Sequence, residues 1–188
     1  MSKPNVKQFG QKLIKIAKDS VKAAVKGEEP PSVEIDDSRL EQKLGVFVTL
    51  HRRGRLRGCI GLIESDLPLW KGVQKMAESA ALDDPRFPAV TYDELKDLGL
   101  EVSVLSQPKQ VLSPGEVEAG KHGVIMKQGF RRGVFLPQVA QEQNYDREQF
   151  LSSLCTHKMG LPPDAWKKDD VQILTFTAQV FSENEDDK

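Results

Sequence analysis

The chain has 188 residues, of which 38% are hydrophobic and 29% are charged, and its net charge is −1. These values are typical of a globular protein and give the molecule no overall bias toward nucleic acid or an anionic membrane. No apolar run reaches the roughly 18 residues that cross a bilayer, so we expect no membrane association. Because the first residues lack a signal-peptide core and Cys59 and Cys155 form no CxxC pair, we predict a cytoplasmic protein with free thiols.

An amphipathic helix is predicted at the start of the chain. Apolar residues recur at steps of three and four from Val6 to Ala24, and Gly27 is a typical helix-ending residue. The first 27 residues carry seven lysines and a single acid, Asp19, which we interpret as a solvated helix face. The acidic residues of 183–188 are interpreted as a polar C-terminal tail.

A β-hairpin with a basic tip is predicted next. Its two apolar segments are 45–50 and 56–63, and Arg52, Arg53 and Arg55 lie at the tip. A helix is then predicted from Leu67 to Leu82 with Asp66 as its N-cap, and it is followed by a proline-containing loop, DDPRFP (83–88).

The second half of the chain continues with short elements. The sequence predicts a short helix with a capping box of Thr91 and Glu94, a strand over 100–106 and a second hairpin around Gly129. It further predicts a helix over 146–160, with Asp146 and Gln149 as a capping box and Gly160 as its end, and one final strand over 173–181. Strands that come as hairpins, between helices of varied length, predict an α+β fold with a largely antiparallel sheet and flanking helices. Neither GxGxxG nor a P-loop is present, and we predict no cofactor.

The segment LRGCIG (56–61) contains a candidate catalytic residue, Cys59. With the period of two of a strand, Arg57, Cys59 and Gly61 share one face, and a neighbouring guanidinium favours the reactive thiolate. Alternatively, the glycines mark a β-bulge that turns Cys59 inward as a packing residue. The sequence leaves both interpretations open.

Arginine and glycine residues are candidates for binding a substrate or anion. Gly58 and Gly61 would let a ligand approach the backbone, while Arg57 and Arg86 would each hold a carboxylate or phosphate through two parallel hydrogen bonds. The alternatives are an exposed hairpin arginine at position 57 and, for Arg86, a rigid turn in which it pairs with Asp83 or Asp84.

Two further residues are candidates for the same cleft. Glu101 would act as a counter-charge or general base, and His122 would line the cleft. The alternatives are a solvent-exposed charge on an edge strand for Glu101 and a loop-stabilising histidine for His122. Because the two cysteines and three histidines are widely scattered, no metal site is predicted.

Several motifs, in order, resemble the AMMECR domain family, in its prokaryotic branch. These are LRGCIG (56–61), the hallmark of that family, DPRFP (84–88), LEVSVL (100–105), LPQVA (136–140) and GLPPDAW (160–166). The resemblance covers about residues 8–182 and implies one AMMECR-type domain over 1–188, with two unequal lobes packed together. It also implies a shared pathway with Memo-like and radical SAM proteins as possible partners, whereas no activity is established for the family.

Three functions remain open at this stage. The first is a small-molecule binding or catalytic cleft around Arg57, Cys59 and Arg86, with an unidentified ligand. The second is a non-catalytic module that docks onto a protein partner. The third, nucleic-acid binding through the basic hairpin, is disfavoured because the net charge is slightly negative and few aromatic residues accompany the arginines.

Overall fold

The computed structural model of the chain describes residues 6–183, so residues 184–188 of the predicted acidic tail lie outside the described part. Within that range the helices are α1 (Val6–Lys26), α2 (Leu69–Leu82), α3 (Pro137–Glu142) and α4 (Arg147–Met159). The strands are β1 (Val46–Arg52), β2 (Arg55–Leu62), β3 (Leu98–Leu105), β4 (Lys109–Gln110), β5 (Gly123–Gln128), β6 (Arg131–Phe135), β7 (Gln172–Phe176) and β8 (Ala178–Ser182). A 3-10 helix spans Tyr92–Asp97. None of the helices between residues 6 and 183 is both long and apolar enough to cross a membrane.

The chain forms two compact units, each with its own sheet. The first unit comprises the residues up to Leu105 and those from Gln179 onward, and the second spans Ser106–Ala178. The sheet of the first unit has the strand order β2-β1-β3-β8, and that of the second has the order β4-β7-β5-β6. Strand β1 pairs antiparallel with β2 and β3, and β7 pairs antiparallel with β4 and β5. The predicted α+β class with largely antiparallel sheet is confirmed.

The core of the first unit lies between one face of its sheet and helices α1 and α2. Val48 and Leu50 of β1 are fully buried, as are Leu13 of α1 and Val73 of α2. Burying one such aliphatic side chain contributes about 1.5–3 kcal/mol. Residues between the buried ones on β1, such as Thr49, are half-buried and point to the opposite face of the sheet.

The core of the second unit is built around α4. Asp146 and Gln149 form the predicted capping box, and Gly160 ends the helix in the left-handed conformation at φ 62°. Cys155 is fully buried on the apolar side of this helix, and this burial raises the pKa of its thiol.

The single strand predicted over 173–181 is wrong, because the chain breaks at Thr177 into β7 and β8, which belong to different sheets. The backbone N–H of Thr177 donates to Ser106 Oγ, and its carbonyl accepts the N–H of Ser106. These two hydrogen bonds with Ser106 take the place of regular strand pairing at Thr177. After the break Phe181 faces the core at 4% exposure while Val180 is 37% exposed.

The predicted cap of α2 also needs correction. The helix begins at Leu69, and Pro68 occupies the N-cap position without a side-chain cap. Asp66 is therefore not the N-cap residue.

Candidate functional site

The predicted hairpin of β1 and β2 is confirmed, and it contains a bulge next to the LRGCIG segment. Arg53 and Gly54 form its tight turn, both with positive φ. In the register of the two strands His51 pairs with Leu56 and Leu50 pairs with Gly58, so that Arg57 is an extra residue. The bulge releases the Arg57 side chain from the regular alternation of β2.

Cys59 lies on the face of the sheet opposite to the core. Gly58, the preceding residue, faces α2, because a Cβ built on it would lie 2.2 Å from the carbonyl oxygen of Ala80. Cys59 therefore points the other way, and it pairs across the ladder with the half-buried Thr49. The bulge does not turn Cys59 into the core, and its side chain is half-buried.

The two glycines of this segment make close approaches within the protein. Gly58 allows β2 to lie directly on the last turn of α2, and Gly61 makes room for the ring of Phe47, which would lie 2.2 Å from an added Cβ. Both positions thus require glycine for packing. A close approach of a ligand to their backbone stays a prediction.

Arg57 is held by a carboxylate from the 3-10 helix Tyr92–Asp97. Its Nε and Nη2 donate to the two carboxylate oxygens of Glu94 at 2.9 and 3.0 Å, and its Nη1 donates to the carbonyl of Pro88 at 2.9 Å. The side chain is only 12% exposed. Glu94 also accepts the backbone N–H of Thr91 in the predicted capping box and a hydrogen bond from Arg52 at 2.8 Å.

The pKa of Glu94 follows from these contacts. Hydrogen bonds from Arg57, reinforced by the backbone N–H of Thr91, lower the pKa of the Glu94 carboxyl to about 2, although burial acts in the opposite direction. The guanidinium of Arg57 is therefore committed to a permanently ionised partner at neutral pH.

Asp84 fastens the backbone of Cys59 to the proline-containing loop. Its Oδ2 accepts the N–H of Cys59 at 2.8 Å, and its carboxylate also accepts the backbone N–H of Arg86 at 3.1 Å and two guanidinium hydrogen bonds at 2.7 and 2.9 Å. The side chain of Asp84 is 2% exposed. Hydrogen bonds from Arg86 hold the pKa of Asp84 well below its usual range.

Arg86 makes the predicted pair with Asp84 and also reaches Cys59. Its Nη2 donates to the carbonyl oxygen of Cys59 at 3.1 Å. Hydrogen bonds to Asp84 raise the pKa of the guanidinium. Because 54% of its side chain is exposed, Arg86 keeps part of its hydrogen-bonding capacity for solvent or a ligand.

A polar row crosses three strands on the face that carries Cys59. Thr49 of β1 pairs with Cys59 of β2 on one side and with Glu101 of β3 on the other. The Thr49 hydroxyl donates to Cys59 Sγ at 3.2 Å. Glu101 is half-buried, and between residues 6 and 183 its carboxylate has no hydrogen bond or ion pair. Its strand lies between β1 and β8, so the edge-strand interpretation of Glu101 is wrong.

His122 belongs to the second unit, whereas Cys59, Arg57, Arg86 and Glu101 belong to the first. The ring Nδ1 of His122 accepts the backbone N–H of Glu118 at 3.1 Å, which is the loop-stabilising contact considered as its alternative. Across residues 6–183, no cluster of three or more His, Cys, Asp or Glu side chains is placed to hold a metal ion.

Sequence reasoning missed the partners that organise this site. Thr49 carries no motif, and its position is visible only once the strand register is known. Asp84 was considered only as a partner of Arg86, and Glu94 only as a capping residue. An aspartate two residues before an arginine in a proline-containing loop is the only sequence signal for Asp84.

The AMMECR1 family matches residues 14–181. The chain belongs to the AMMECR1 family. A protein of Methanosarcina mazei is 41% identical over 187 residues, covering 95% of this chain and 93% of that protein. A protein of Methanothermobacter thermautotrophicus is 40% identical over 188 residues, covering 96% and 97%. The names of both relatives state no activity.

A solved structure shares the fold of this AMMECR1-family chain. It is the crystal structure of an uncharacterized protein from Pyrococcus horikoshii, with a TM-score of 0.85 and 37% sequence identity over 95% of this chain and 93% of that one. The family assignment thus extends over LRGCIG, the DDPRFP loop and both sheets, and it leaves the function to be argued from the site.

Proposed function

We propose that this AMMECR1-family protein binds a small anionic molecule on the face of the first sheet that carries Cys59, with the Cys59 thiol as its reactive group. The observation that carries the proposal is the row of Cys59, Thr49 and Glu101 together with Arg86, whose guanidinium donates to the carbonyl oxygen of Cys59 at 3.1 Å. Cysteine acts as a nucleophile, and the hydroxyl of Thr49 contacts its Sγ at 3.2 Å.

The contacts of Arg86, Arg57 and Glu101 suggest a different role for each of them. Arg86, half-exposed, is the group available to an anionic ligand, while Arg57 is bound by Glu94 and acts by fixing β2 to the loop. Glu101 supplies an unpaired carboxylate on the same face, suited to accept a proton or to bind a donor group of the ligand.

The test is alkylation of native protein by iodoacetamide between pH 6 and 9, read at each cysteine by mass spectrometry. We expect Cys59 to label in the folded state, at a rate well above that of Cys155. Cys155 is the internal control, since it is fully buried and should label only on unfolding. Labelling of Cys59 that also requires unfolding would refute the proposal.

Three variants identify which groups activate the thiol. Thr49→Val and Arg86→Gln should each slow labelling at pH 7 severalfold, because each removes a side chain that hydrogen-bonds to Cys59. Arg55→Gln is the matched control: Arg55 is an exposed arginine of the same strand. An equal effect of Arg55→Gln would mean that only the general positive charge matters.

A docking module is the second candidate, and one observation favours it. Leu56 is 41% exposed on the edge strand β2, next to the bulge. Memo-like and radical SAM proteins are the partners we propose for such a surface, on the ground of the family resemblance. Co-purification of the wild type but not of Leu56→Ser with such a partner would support this role.

Nucleic-acid binding through the hairpin tip is not favoured by the contacts. Arg52 pairs with Glu94 at 2.8 Å, and the guanidinium groups of Arg52 and Arg53 lie 3.7 and 3.9 Å from Asp97. These acids offset the positive charge that phosphate binding requires. Because Cys59 and Cys155 are both free thiols, we also propose that the protein works in a reducing compartment such as the cytoplasm.

A further inference from the structure

A groove of about 340 Å³ lies in the first unit between α1, the 3-10 helix Tyr92–Asp97 and β3. Its floor is apolar: Val21, Leu98 and Leu100 are buried and Leu95 is half-buried. Sites for small ligands are concave and mostly apolar, with a few polar groups that fix orientation, and this volume is at the lower end of their range. None of the residues that line the groove belongs to the site around Cys59.

The rim of the groove is mainly positive. Lys18, Lys22 and Lys96 line it with a single acid, Asp93. Lys18 is engaged, since its Nζ lies 2.7 Å from a carboxylate oxygen of Glu183. Lys22 and Lys96 are exposed, and neither makes an ion pair or hydrogen bond within the described range of 6–183.

We propose that this groove binds a small anionic amphiphile, a molecule with an apolar body and one carboxylate or phosphate group. The apolar body would lie on the floor and replace water on the half-buried Leu95 and the exposed ring of Tyr92. The anionic group would face Lys22 and Lys96, which have no competing acid of their own. The exposed ring of Tyr92, with Lys26 Nζ 6.0 Å from its centroid, forms the outer wall.

The first test compares two ligands of equal length and opposite charge. Decanoate and decylammonium, each kept below its micelle-forming concentration, are titrated into isotopically labelled full-length protein, and the NMR signals of Tyr92, Leu95 and Leu98 are followed. We expect saturable 1:1 binding of decanoate that is at least about tenfold tighter than that of decylammonium. Equal affinities, or shifts confined to other residues, would overturn the proposal.

Removing a positive or a negative charge from the rim should change the affinity for decanoate in opposite directions. Lys22→Gln and Lys96→Gln should each weaken decanoate binding about two- to fivefold, as expected for exposed charge pairs. Asp93→Asn should tighten it about twofold, because it removes the acid that repels the anion. Lys75→Gln, an exposed lysine of α2 outside the groove, is the control and should change nothing. Weaker binding by Asp93→Asn would contradict the proposed polarity.

Two other occupants are distinguished by the same signals. The carboxylate of Glu183 accepts the backbone N–H of Leu100, a residue of the groove. In the sequence Glu183 is followed by residues 184–188, three of which are acidic. If a variant ending at Glu183 shifts the groove signals without ligand, the tail of the chain is the occupant. If the signals depend on protein concentration, the occupant is a second copy. Either result overturns the small-molecule proposal, and unchanged signals support it.

Discussion

Replacing Asp84 by asparagine should destabilise the first unit, although the two side chains have nearly the same shape. Both carboxylate oxygens act as acceptors: Oδ1 receives the N–H and Nε of Arg86, and Oδ2 receives the N–H of Cys59 and Nη2 of Arg86. An asparagine keeps one acceptor oxygen and presents an NH2 group to the other two donors. Two hydrogen bonds are therefore lost in either orientation of the amide.

The magnitude depends on which donors find water. The guanidinium of Arg86 is half-exposed, so its lost hydrogen bonds are largely replaced by solvent. The backbone donor that faces the NH2 group is not compensated in this way, and an unsatisfied buried donor costs about 1–3 kcal/mol. We expect Asp84→Asn to lower the free energy of unfolding by about 2 kcal/mol.

Urea unfolding and amide hydrogen exchange measure this loss. The matched control is Asp83→Asn, an exposed neighbour whose change should stay within about 0.5 kcal/mol. The amide of Cys59 should exchange faster in Asp84→Asn and at the wild-type rate in Asp83→Asn. Equal stabilities of the two variants would refute the inference that Asp84 fastens β2 to the loop.

Three further predictions concern the same strand and its anchors. Gly58→Ala should destabilise the protein by about 1–3 kcal/mol in urea, because its Cβ would meet the rigid carbonyl of Ala80, whereas Gly99→Ala, with open space around it, should be neutral. Folding lowers the pKa of Glu94 from 4.5 to about 2, so its contribution to the free energy of unfolding is present above pH 4.5 and is lost as the pH falls toward 2. Thermal melts of Glu94→Gln should therefore show a smaller loss of stability over that pH range than those of the wild type. Parallel curves for the two proteins would contradict this assignment. Arg57→Lys should cost about 1–3 kcal/mol despite the retained charge, since an ammonium cannot make both hydrogen bonds to the carboxylate; a stability within 0.5 kcal/mol of the wild type would show that one hydrogen bond suffices.

Local patterns predicted several elements well where a cap or turn residue marks their ends, although the cap predicted at Asp66 is wrong. Helix α4 is the clearest case, because Asp146, Gln149 and Gly160 satisfy its terminal backbone groups with side chains and conformations specific to those positions. The break at Thr177 had no such mark. It depends on hydrogen bonds with Ser106, which is distant in sequence, and strand propensity carries no information about that partner.

The contacts around Cys59 could not be predicted from the sequence, and the role of the site residues stays a prediction. The sequence left two orientations of Cys59 open, and the structure agrees with strand alternation because the bulge lies at Arg57, before Cys59. The role of Arg57 depends on the bulge in β2 and on the carboxylate of Glu94, which lies 37 residues further along the chain. Arg57 can be explained as a hairpin arginine and Glu94 as a capping residue, so nothing in the sequence indicates that they bind one another.

The position of β8 also has a consequence for biosynthesis. The second unit is continuous along the chain, whereas the first sheet needs a strand that is translated after the whole of that unit. Because a ribosome adds residues one at a time, one edge of β3 in the nascent first unit stays unpaired until β8 has been synthesised. Only then can the ring of Phe181 pack against that of Phe9, with 5.7 Å between the ring centroids. The part of the molecule that begins first is thus the part that is finished last.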